Sequence, residues 1–165
     1  METKFVVDIN AGKLARWLRL IGYDTVLFTD KDDGQMVKMA LDQDRVILTR
    51  DSQFMKRRTI ISGKIKALLI DEDDSREQLK QVVTAFKLDY KYRPFSICLE
   101  CNCNLVTRNK SELAEMVPPY VFSTQNSFRE CPCCHHIYWQ GTHWQAMNAE
   151  LNNISSARPI KSEVL

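Results

Sequence analysis

Two pairs of cysteines in the second half of the chain constrain its fold more than any other feature. The pairs are Cys98-Leu-Glu-Cys101 and Cys131-Pro-Cys133-Cys134, and 29 residues separate them. A gap of two residues lets one tight turn, here called a knuckle, present two thiolates to a single tetrahedral metal ion. Asn102, directly after the first pair, tolerates the left-handed conformation that a knuckle often needs. The pattern predicts a structural zinc site with four ligands, Cys98, Cys101, Cys131 and Cys134.

Other donors near the two pairs leave alternatives open. Cys103 and Cys133 are two more cysteines than one site needs, and they allow other pairings such as Cys101 with Cys103. A gap of two residues fits a knuckle better than these pairings do. His135 and His136 could replace a cysteine, although adjacent side chains point apart and at most one would serve. A closed four-cysteine site has no open coordination position, so the predicted zinc stabilises the fold and performs no catalysis.

The length and composition limit the classes of protein to which the chain can belong. At 165 residues it can hold one ordinary domain and a small second one. A net charge of +2 is too small to indicate nucleic-acid binding without local clustering. Residues 1–7 lack the apolar core of a signal peptide, and no apolar run reaches membrane-spanning length. We therefore expect a cytoplasmic protein without a membrane partner, in which cysteines are thiols or metal ligands rather than disulfides.

The first 90 residues alternate between apolar runs typical of strands and the spacing typical of amphipathic helices. Strands are predicted at residues 4–9, 26–28, 45–49 and 67–70. Helices are predicted around Leu14–Ile21, ending at Gly22, around Met36–Leu41, capped by Asp33, and around Leu79–Phe86. Strands that alternate with helices through short loops predict an α/β domain with a central, mainly parallel sheet.

The predicted domain organisation has three parts. The α/β domain covers residues 1–90 and is followed by a linker at 89–96. A small zinc ribbon covers residues 97–142. Residues 143–165 are predicted to form a closing helix, to about Leu151, and a disordered tail from Asn152.

Four consecutive predicted strands end in, or run into, aspartate. In open α/β sheets, ligands bind beyond the carboxyl ends of the strands. Carboxylates gathered there repel one another unless a hard cation lies among them, and oxygen ligands suit Mg²⁺ or Mn²⁺. Individual aspartates also cap helices and form turns, so the prediction of a metal-binding edge depends on their repetition. The acids are Asp8, Asp30, Asp32, Asp33, Asp51 and Asp71.

Basic and aromatic residues near these features suggest contact with a nucleic acid. Lys13, Arg16 and Arg19 repeat every three residues, and a basic run at 56–58 follows Asp51. Such groups beside an acidic edge are what a phosphate backbone requires, although a charge run is usually a solvated face. The aromatic residues of segment 138–144 could stack on bases of single-stranded RNA, but the core of a small ribbon explains them better.

Several motifs resemble those of the Mut7-C RNase domain family. They are Phe5-Val-Val-Asp8, the run Gly12-Lys-Leu-Ala-Arg-Trp-Leu-Arg-Leu-Ile-Gly-Tyr-Asp24, Leu48-Thr-Arg-Asp51, both cysteine pairs, and Tyr138-Trp139-x-Gly141-Thr-His143. The resemblance covers roughly residues 4–150. It implies a PIN-like nuclease domain, with a central mainly parallel sheet flanked by helices, fused to a C-terminal zinc ribbon.

The resemblance also implies an activity and its residues. A metal-dependent ribonuclease would use Asp8, Asp33 and Asp51 to hold catalytic Mg²⁺ or Mn²⁺ for hydrolysis of an RNA phosphodiester. Gln53 stands where many PIN-like relatives carry a further acid, so Asp30 and Asp71 are the additional candidates. The expected substrate-binding residues are Lys13, Arg16 and Arg19. RNA, single-stranded or structured, is the expected substrate, and the zinc ribbon would assist RNA or ribonucleoprotein contact.

Two other functions are compatible with the same residues. One is a non-catalytic adaptor that binds RNA or a ribosome through the zinc ribbon and the basic helix. The other is the toxin half of a toxin–antitoxin pair, a role that PIN-like nucleases often have. Metal-dependent cleavage of RNA, as opposed to binding without turnover, distinguishes the enzyme from the adaptor.

Overall fold

The computed structural model describes residues 2–156, which form two compact units divided between Asn104 and Leu105. The first unit includes the predicted linker and the first cysteine pair as well as the α/β domain. The boundaries predicted from the sequence, 1–90 and 97–142, stay a prediction. No helix within residues 2–156 combines the length and the apolar character needed to cross a membrane.

The first unit is built on a four-stranded parallel sheet, as predicted. Its strands lie in the order β2-β1-β3-β4, so β1 and β3 are central and β2 is an edge strand. All three residues in the middle of β1 are buried, as expected for a parallel strand covered on both faces. The strands are β1 Lys4–Asp8, β2 Thr25–Phe28, β3 Arg45–Thr49 and β4 Ala67–Leu69.

Helices connect these strands and cover both faces of the sheet. Val6 and Ile47 pack on one face with Met36 and Ala40 of the second helix. Phe5 points to the opposite face, where its ring lies 5.7 Å from that of Phe86 in the fourth helix. The helices are α1 Gly12–Leu20, α2 Asp33–Gln43, α3 Arg58–Ile61 and α4 Ser75–Phe86, with short 3-10 turns at Ile9–Ala11 and Phe54–Lys56.

Local chemistry sets the ends of these helices. Gly22 lies just beyond α1 with φ of +98°, and a Cβ there would lie 2.3 Å from the carbonyl oxygen of Arg93, so only glycine fits. The prediction that Asp33 caps α2 was wrong by one residue. Asp32 is the cap, because its carboxylate accepts a hydrogen bond from the backbone of Gly34, and Asp33 is the first helical residue.

The second unit contains a three-stranded antiparallel sheet in the order β5-β6-β7. Its core contains Leu113, Val117 and Phe128, with Trp139 packed against it at 6.4 Å between the Phe128 and Trp139 rings. This contact supports the structural interpretation of the aromatic residue over a base-stacking one. The elements are β5 Val106–Arg108, a 3-10 turn Lys110–Glu112, α5 Pro119–Thr124, β6 Phe128–Glu130, β7 Ile137–Trp139 and α6 Thr142–Ser156.

The closing helix is longer than the sequence predicted. Helix α6 continues to Ser156, and Ile154 is buried, so the prediction of a disordered tail from Asn152 was wrong for residues 152–156. The apolar Leu151 and Ile154 lie one turn apart and share a face, which extends the helix beyond the expected end. The remainder of the predicted tail, 157–165, lies outside the described residues.

Candidate functional site

The strand order places a crevice between the carboxyl ends of β1 and β3. The connection after β1 leads to β2 on one side, whereas the connection after β3 leads to β4 on the other. The two connections diverge at this point, which is the switch point where open α/β sheets bind their ligands. Asp8 ends β1 here, Thr49 ends β3, and Arg50 and Asp51 come directly after β3.

Hydrogen bonds fix the carboxylate of Asp8 across this crevice. Its Oδ1 accepts from the backbone nitrogen of Asn10 at 2.8 Å. Its Oδ2 accepts from the hydroxyl of Thr49 at 2.6 Å and from the backbone nitrogen of Arg50 at 3.0 Å. Three donors to one half-buried carboxylate restrict its rotation. Asp8 therefore lies between the two central strands, in a defined orientation.

Thr49 links Asp8 to the second predicted acid. The same Thr49 hydroxyl that donates to Asp8 accepts from the backbone nitrogen of Asp51 at 3.0 Å. Asp51 in turn accepts from the backbone nitrogen of Gln53 at 2.8 Å, which shapes the turn after β3. Sequence reasoning assigned no role to Thr49. Its position between an apolar strand and an acid was the available signal.

The third predicted acid, Asp33, is paired with a cation. Arg57 Nη2 lies 3.3 Å from Asp33 Oδ2, and the guanidinium carbon of Arg57 lies 4.9 Å from the centre of the Phe54 ring. Phe54 is buried, so it provides a fixed apolar base under the arginine. The start of α2 and the segment after β3 are therefore connected at the acidic edge.

The two additional acids end the outer strands. Asp30 follows β2, and its carboxylate accepts from the backbone nitrogen of Asp32 at 3.1 Å. It lines an open depression beside α2 that does not include Asp8 or Asp51. Asp71 follows β4, and its backbone nitrogen donates to Gln81 Oε1 at 3.2 Å. The order across the edge is thus Asp30, Asp8, Asp51, Asp71.

These acids share an edge without forming a compact cluster. Among residues 2–156, cysteines alone form groups of three or more histidine, cysteine or acidic ligands within 4.8 Å of one another. The carboxylates supply the oxygen donors that Mg²⁺ and Mn²⁺ prefer, so the chemistry of the donor set fits a hard cation. Asp33, which pairs with Arg57, shows that a cationic group already lies against one of them.

The three basic residues of α1 have different environments. Lys13 is exposed in the first turn, which follows the carboxyl end of β1. Arg16 forms an ion pair with Glu100 at 2.8 Å. Arg19 is 5% exposed and donates to backbone carbonyls of Thr25, Leu99 and Glu100. Arg19 lies about 9 Å along the helix from Lys13. We therefore correct its assignment from substrate binding to a structural role.

The four cysteines predicted as zinc ligands come together. The sulfur atoms of Cys98, Cys101, Cys131 and Cys134 all lie within 4.8 Å of one another. Sulfur atoms around a tetrahedral zinc are about 3.8 Å apart when each Zn–S bond is about 2.3 Å. Four thiolates therefore fit zinc in both chemistry and spacing.

The two knuckles have the same backbone structure. In the first, the backbone nitrogen of Cys98 donates to the carbonyl of Cys103 at 2.8 Å, and in the second that of Cys131 donates to His136 at 2.9 Å. The residue after the second cysteine is left-handed in both, Asn102 with φ of +66° and His135 with φ of +62°. The first cysteine of each pair is buried and the second is exposed.

This match favours the predicted ligand set over its alternative. A second group, Cys101, Cys103, Cys131 and Cys133, also lies within 4.8 Å. However, Cys103 and Cys133 are disulfide-bonded, whereas none of the four predicted ligands is in a disulfide. The disulfide state differs from the expectation that all six cysteines are thiols or ligands. His135 Nδ1 lies 3.1 Å from Glu130 Oε1, which occupies that ring nitrogen.

A comparison with known protein families identifies the family of the chain. The sequence model of the family described as Mut7-C RNAse domain matches residues 3–151. The chain belongs to the Mut7-C RNase domain family. No curated protein and no solved structure matches it. The family assignment confirms the resemblance and indicates a nuclease or another RNA-related function.

One motif of this Mut7-C domain has a direct structural explanation. Gly141 follows the tryptophan of the Tyr-Trp-x-Gly run, and a Cβ at this position would lie 2.8 Å from Trp139 Nε1. A larger residue would therefore displace the indole that packs against Phe128. The glycine is required by packing in the second unit.

Proposed function

We propose that the protein is a metal-dependent ribonuclease that hydrolyses RNA phosphodiester bonds at the carboxyl edge of the PIN-like sheet. The observation that carries the proposal is the carboxylate of Asp8, which three donors hold in the crevice between β1 and β3. Membership of an RNase domain family supports RNA as the substrate. The catalytic acids in this proposal are Asp8, Asp33 and Asp51, with Asp30 and Asp71 as additional candidates.

The contacts of Asp8 and Asp51 suggest a different role for each acid. A bound Mg²⁺ or Mn²⁺ supplies activation of water and polarisation of a phosphoryl oxygen. Asp8 is the central ligand because its orientation is fixed before any cation binds. The backbone of Asp51 is held at the same crevice, because its nitrogen donates to the Thr49 hydroxyl that also donates to Asp8. Oxygen lone pairs that accept no hydrogen bond remain available on both carboxylates, since each oxygen can accept two.

Asp33 contributes in a different way because Arg57 neutralises it. An ion pair between two partly exposed groups is worth about 0–1 kcal/mol, so a divalent cation can displace the guanidinium. Arg57, held over Phe54, would then present its planar donors to a phosphate of the RNA backbone. We therefore add Arg57 to the residues proposed to contact the RNA backbone.

The remaining substrate contacts are proposed from position and exposure. Lys13 is exposed where α1 begins beside the acidic edge. Lys56 and Arg58 are also exposed, in the segment that follows Asp51. Arg16 is retained as an outer contact, because its ion pair with Glu100 leaves it half-exposed. Phosphate contacts of this kind provide affinity without sequence specificity.

Cleavage by an Asp8→Asn variant tests the proposal. Purified protein is incubated with single-stranded and structured RNA in Mn²⁺, Mg²⁺ or EDTA. We expect wild-type cleavage that requires the metal, and a loss of at least about 100-fold in the variant, because an amide is a poor ligand for a hard cation. Asp44→Asn is the matched control, because Asp44 is the cap that follows α2, away from the carboxyl edge, and has a φ of +51° that asparagine adopts readily.

The same experiment distinguishes the adaptor from the enzyme. RNA binding by wild-type protein without cleavage in either metal would replace the ribonuclease by a non-catalytic RNA-binding protein. Metal-dependent cleavage that is unchanged in Asp8→Asn would retain the activity and refute the assigned site. Far-UV circular dichroism of both variants establishes that the fold is intact.

A further inference from the structure

The edge strand β2 of the sheet is closed on its outer side at its first residue, Thr25. Thr25 begins this strand and is fully buried. Its backbone nitrogen donates to Asn102 Oδ1 at 2.9 Å, and its carbonyl accepts from Arg19 Nε at 2.8 Å. Both outward-facing backbone groups of Thr25 are therefore satisfied by side chains rather than by another strand. An unpaired strand edge would otherwise be exposed to water or to another chain.

Arg19 connects this edge to the first knuckle. Its Nη1 donates to the carbonyls of Leu99 and Glu100, at 2.7 and 3.2 Å, and these are the two residues between Cys98 and Cys101. One buried guanidinium thus holds the start of β2 and the turn that presents two thiolates. The ion pair between Arg16 and Glu100 adds a second connection between α1 and this turn.

Asn102 provides a further connection between the first knuckle and the start of β2. It follows Cys101 and accepts from Thr25, while its Nδ2 donates to Asp24 Oδ1 at 2.6 Å. Asp24 also receives two hydrogen bonds from Arg45, at 2.8 and 3.1 Å. The first knuckle is therefore hydrogen-bonded to the start of β2 and is connected through Asp24 to Arg45, which begins β3.

Geometry makes this connection dependent on the metal. A closed zinc site fixes the positions of Cys98 and Cys101. It thereby also fixes the carbonyls of Leu99 and Glu100 that accept from Arg19, and the Asn102 side chain that accepts from Thr25. Removal of the metal would release that constraint from the turn.

We propose that Arg19 and Asn102 are positioning residues for the metal site, which couple its occupancy to the stability of the β2 edge. A metal ion in the cysteine site stabilises the hydrogen bonds at the start of β2, and loss of the metal destabilises them. Because β2 leads directly to Asp30 and Asp33, the metal state can control the acidic edge without contacting it. The proposal is independent of the ribonuclease activity and requires no RNA in its test.

Coupling of this kind acts equally in both directions. If the metal protects the edge of β2, then a weakened edge must lower the affinity for the metal by the same factor. A variant that breaks the contact between Asn102 and Thr25 is therefore expected to bind zinc less tightly, although every cysteine is unchanged. A purely structural asparagine would lower the overall stability without this reciprocal effect.

The test uses Asn102→Gly in the full chain, because glycine keeps the left-handed backbone and removes only the side chain. Lys87→Gly is the matched control, since Lys87 is exposed, has φ of +52° and caps α4 away from the knuckle. Zinc affinity is measured by competition with a chromogenic chelator. Exchange of the Thr25 amide hydrogen is followed by NMR before and after the metal is removed.

In wild-type and Lys87→Gly protein, we expect metal removal to accelerate exchange at Thr25 by about tenfold or more. In Asn102→Gly, we expect rapid exchange with or without metal, and zinc affinity lowered about tenfold. Unchanged exchange in stripped wild-type protein, or wild-type zinc affinity in Asn102→Gly, would overturn the proposal. If Asn102→Gly does not fold, Arg19→Lys, which keeps the charge but not the planar donors, must show the same loss of zinc affinity.

Discussion

Thr49 is the residue that organises the proposed catalytic crevice, although it carries no charge. It is 1% exposed at the end of β3, and its hydroxyl donates to Asp8 while accepting from the backbone of Asp51. One oxygen atom therefore sets the spacing of two acids on neighbouring strands. We regard Thr49 as a positioning residue, because it acts through the Asp8 carboxylate and the Asp51 backbone.

We predict that Thr49→Val lowers the turnover rate between about 10- and 100-fold with little change in KM, since misplaced catalytic groups lose rate more than substrate binding. The stability is expected to fall by about 1–3 kcal/mol, because Asp8 loses a donor and the Asp51 amide loses its acceptor. Steady-state kinetics and urea unfolding measure the two effects.

Thr49→Ser is the matched control for that substitution. Serine retains the hydroxyl and loses only a methyl group, so most of the turnover should return. A valine variant with normal turnover would exclude Thr49 from positioning. Equal losses in the valine and serine variants would assign the effect to packing instead.

Spacing alone did not separate functional from structural basic residues. Lys13, Arg16 and Arg19 are evenly spaced in the sequence and were predicted together as substrate-binding residues. Only Lys13 is exposed next to the acidic edge, while Arg19 is buried against the first knuckle. The partner of Arg19 is 80 residues away in the chain, so no local pattern could have identified it.

At the scale of elements, the start of α2 separates two neighbouring aspartates. Asp32 accepts from the backbone of Gly34 at 2.8 Å and caps the helix, whereas Asp33 points to Arg57 at 3.3 Å. Asp33 alone was predicted as the cap from the sequence. Distinguishing them required the backbone, because capping depends on the extended conformation of Asp32.

We predict opposite effects for substitutions at these two positions. Asp32→Ala should lower the free energy of unfolding by about 1 kcal/mol and leave cleavage within about threefold of wild type. Asp33→Asn should change stability by about 0.5 kcal/mol or less but lower cleavage at least about tenfold. Thermal unfolding and RNA cleavage on both proteins check this. A catalytic defect confined to Asp32→Ala would reverse the assignment.

The starts of β2 and β3 are joined by a pH-sensitive ion pair. Burial acts to raise the pKa of Asp24, but hydrogen bonds from Arg45 and Asn102 outweigh it, so the pKa is lowered overall. A carboxyl group whose pKa is lower in the folded state contributes stability above its unfolded pKa. That contribution is lost as the pH falls through the folded pKa.

We predict that Asp24→Asn lowers the free energy of unfolding by about 1.5–3 kcal/mol at pH 7, because it removes charged hydrogen bonds. The difference from wild type should shrink as the pH falls below about 4, where the unfolded chain takes up a proton at Asp24, and should vanish below the lowered folded pKa, where both states are protonated. Urea unfolding between pH 3 and 7 measures it. A difference that does not depend on pH would show that the charge of Asp24 does not stabilise the fold.

The sequence predicted long periodic elements well and short ones poorly. The apolar runs of β1 and β3 indicated buried parallel strands, because both faces of a central strand are covered. Helix α3 was not predicted. It has four residues, none of them buried, and Ile61 is exposed, so it lacks the apolar periodicity that identifies a helix.

At the scale of the whole molecule, the cysteines are the feature that connects distant parts of the sequence. Two knuckles with the same hydrogen bonds and the same left-handed residue bring four sulfur atoms within 4.8 Å. The grouping of these four cysteines could be predicted because each knuckle is local, with a fixed gap of two residues. The contacts of Arg19 and Asn102 could not, since they join the first knuckle to strands far upstream.

We predict that single Cys→Ser substitutions fall into two classes. Cys98→Ser and Cys134→Ser should lose zinc or bind it at least about tenfold more weakly, because a hydroxyl is a poor ligand for zinc. Cys103→Ser and Cys133→Ser should retain about one equivalent, since these two cysteines do not contribute to the matched knuckles. Inductively coupled plasma mass spectrometry of purified protein measures the zinc content.

The comparison is decisive because Cys101 and Cys131 belong to both possible ligand groups, whereas the four substituted positions each belong to one. Loss of zinc from Cys103→Ser and Cys133→Ser, with retention in Cys98→Ser and Cys134→Ser, would establish the alternative group. Thermal unfolding with and without a chelator provides the second readout. Zinc that binds only the folded state raises its stability in proportion to the logarithm of metal concentration over the dissociation constant. A chelator should therefore destabilise the wild type and the Cys103→Ser and Cys133→Ser variants, and should leave Cys98→Ser and Cys134→Ser almost unchanged.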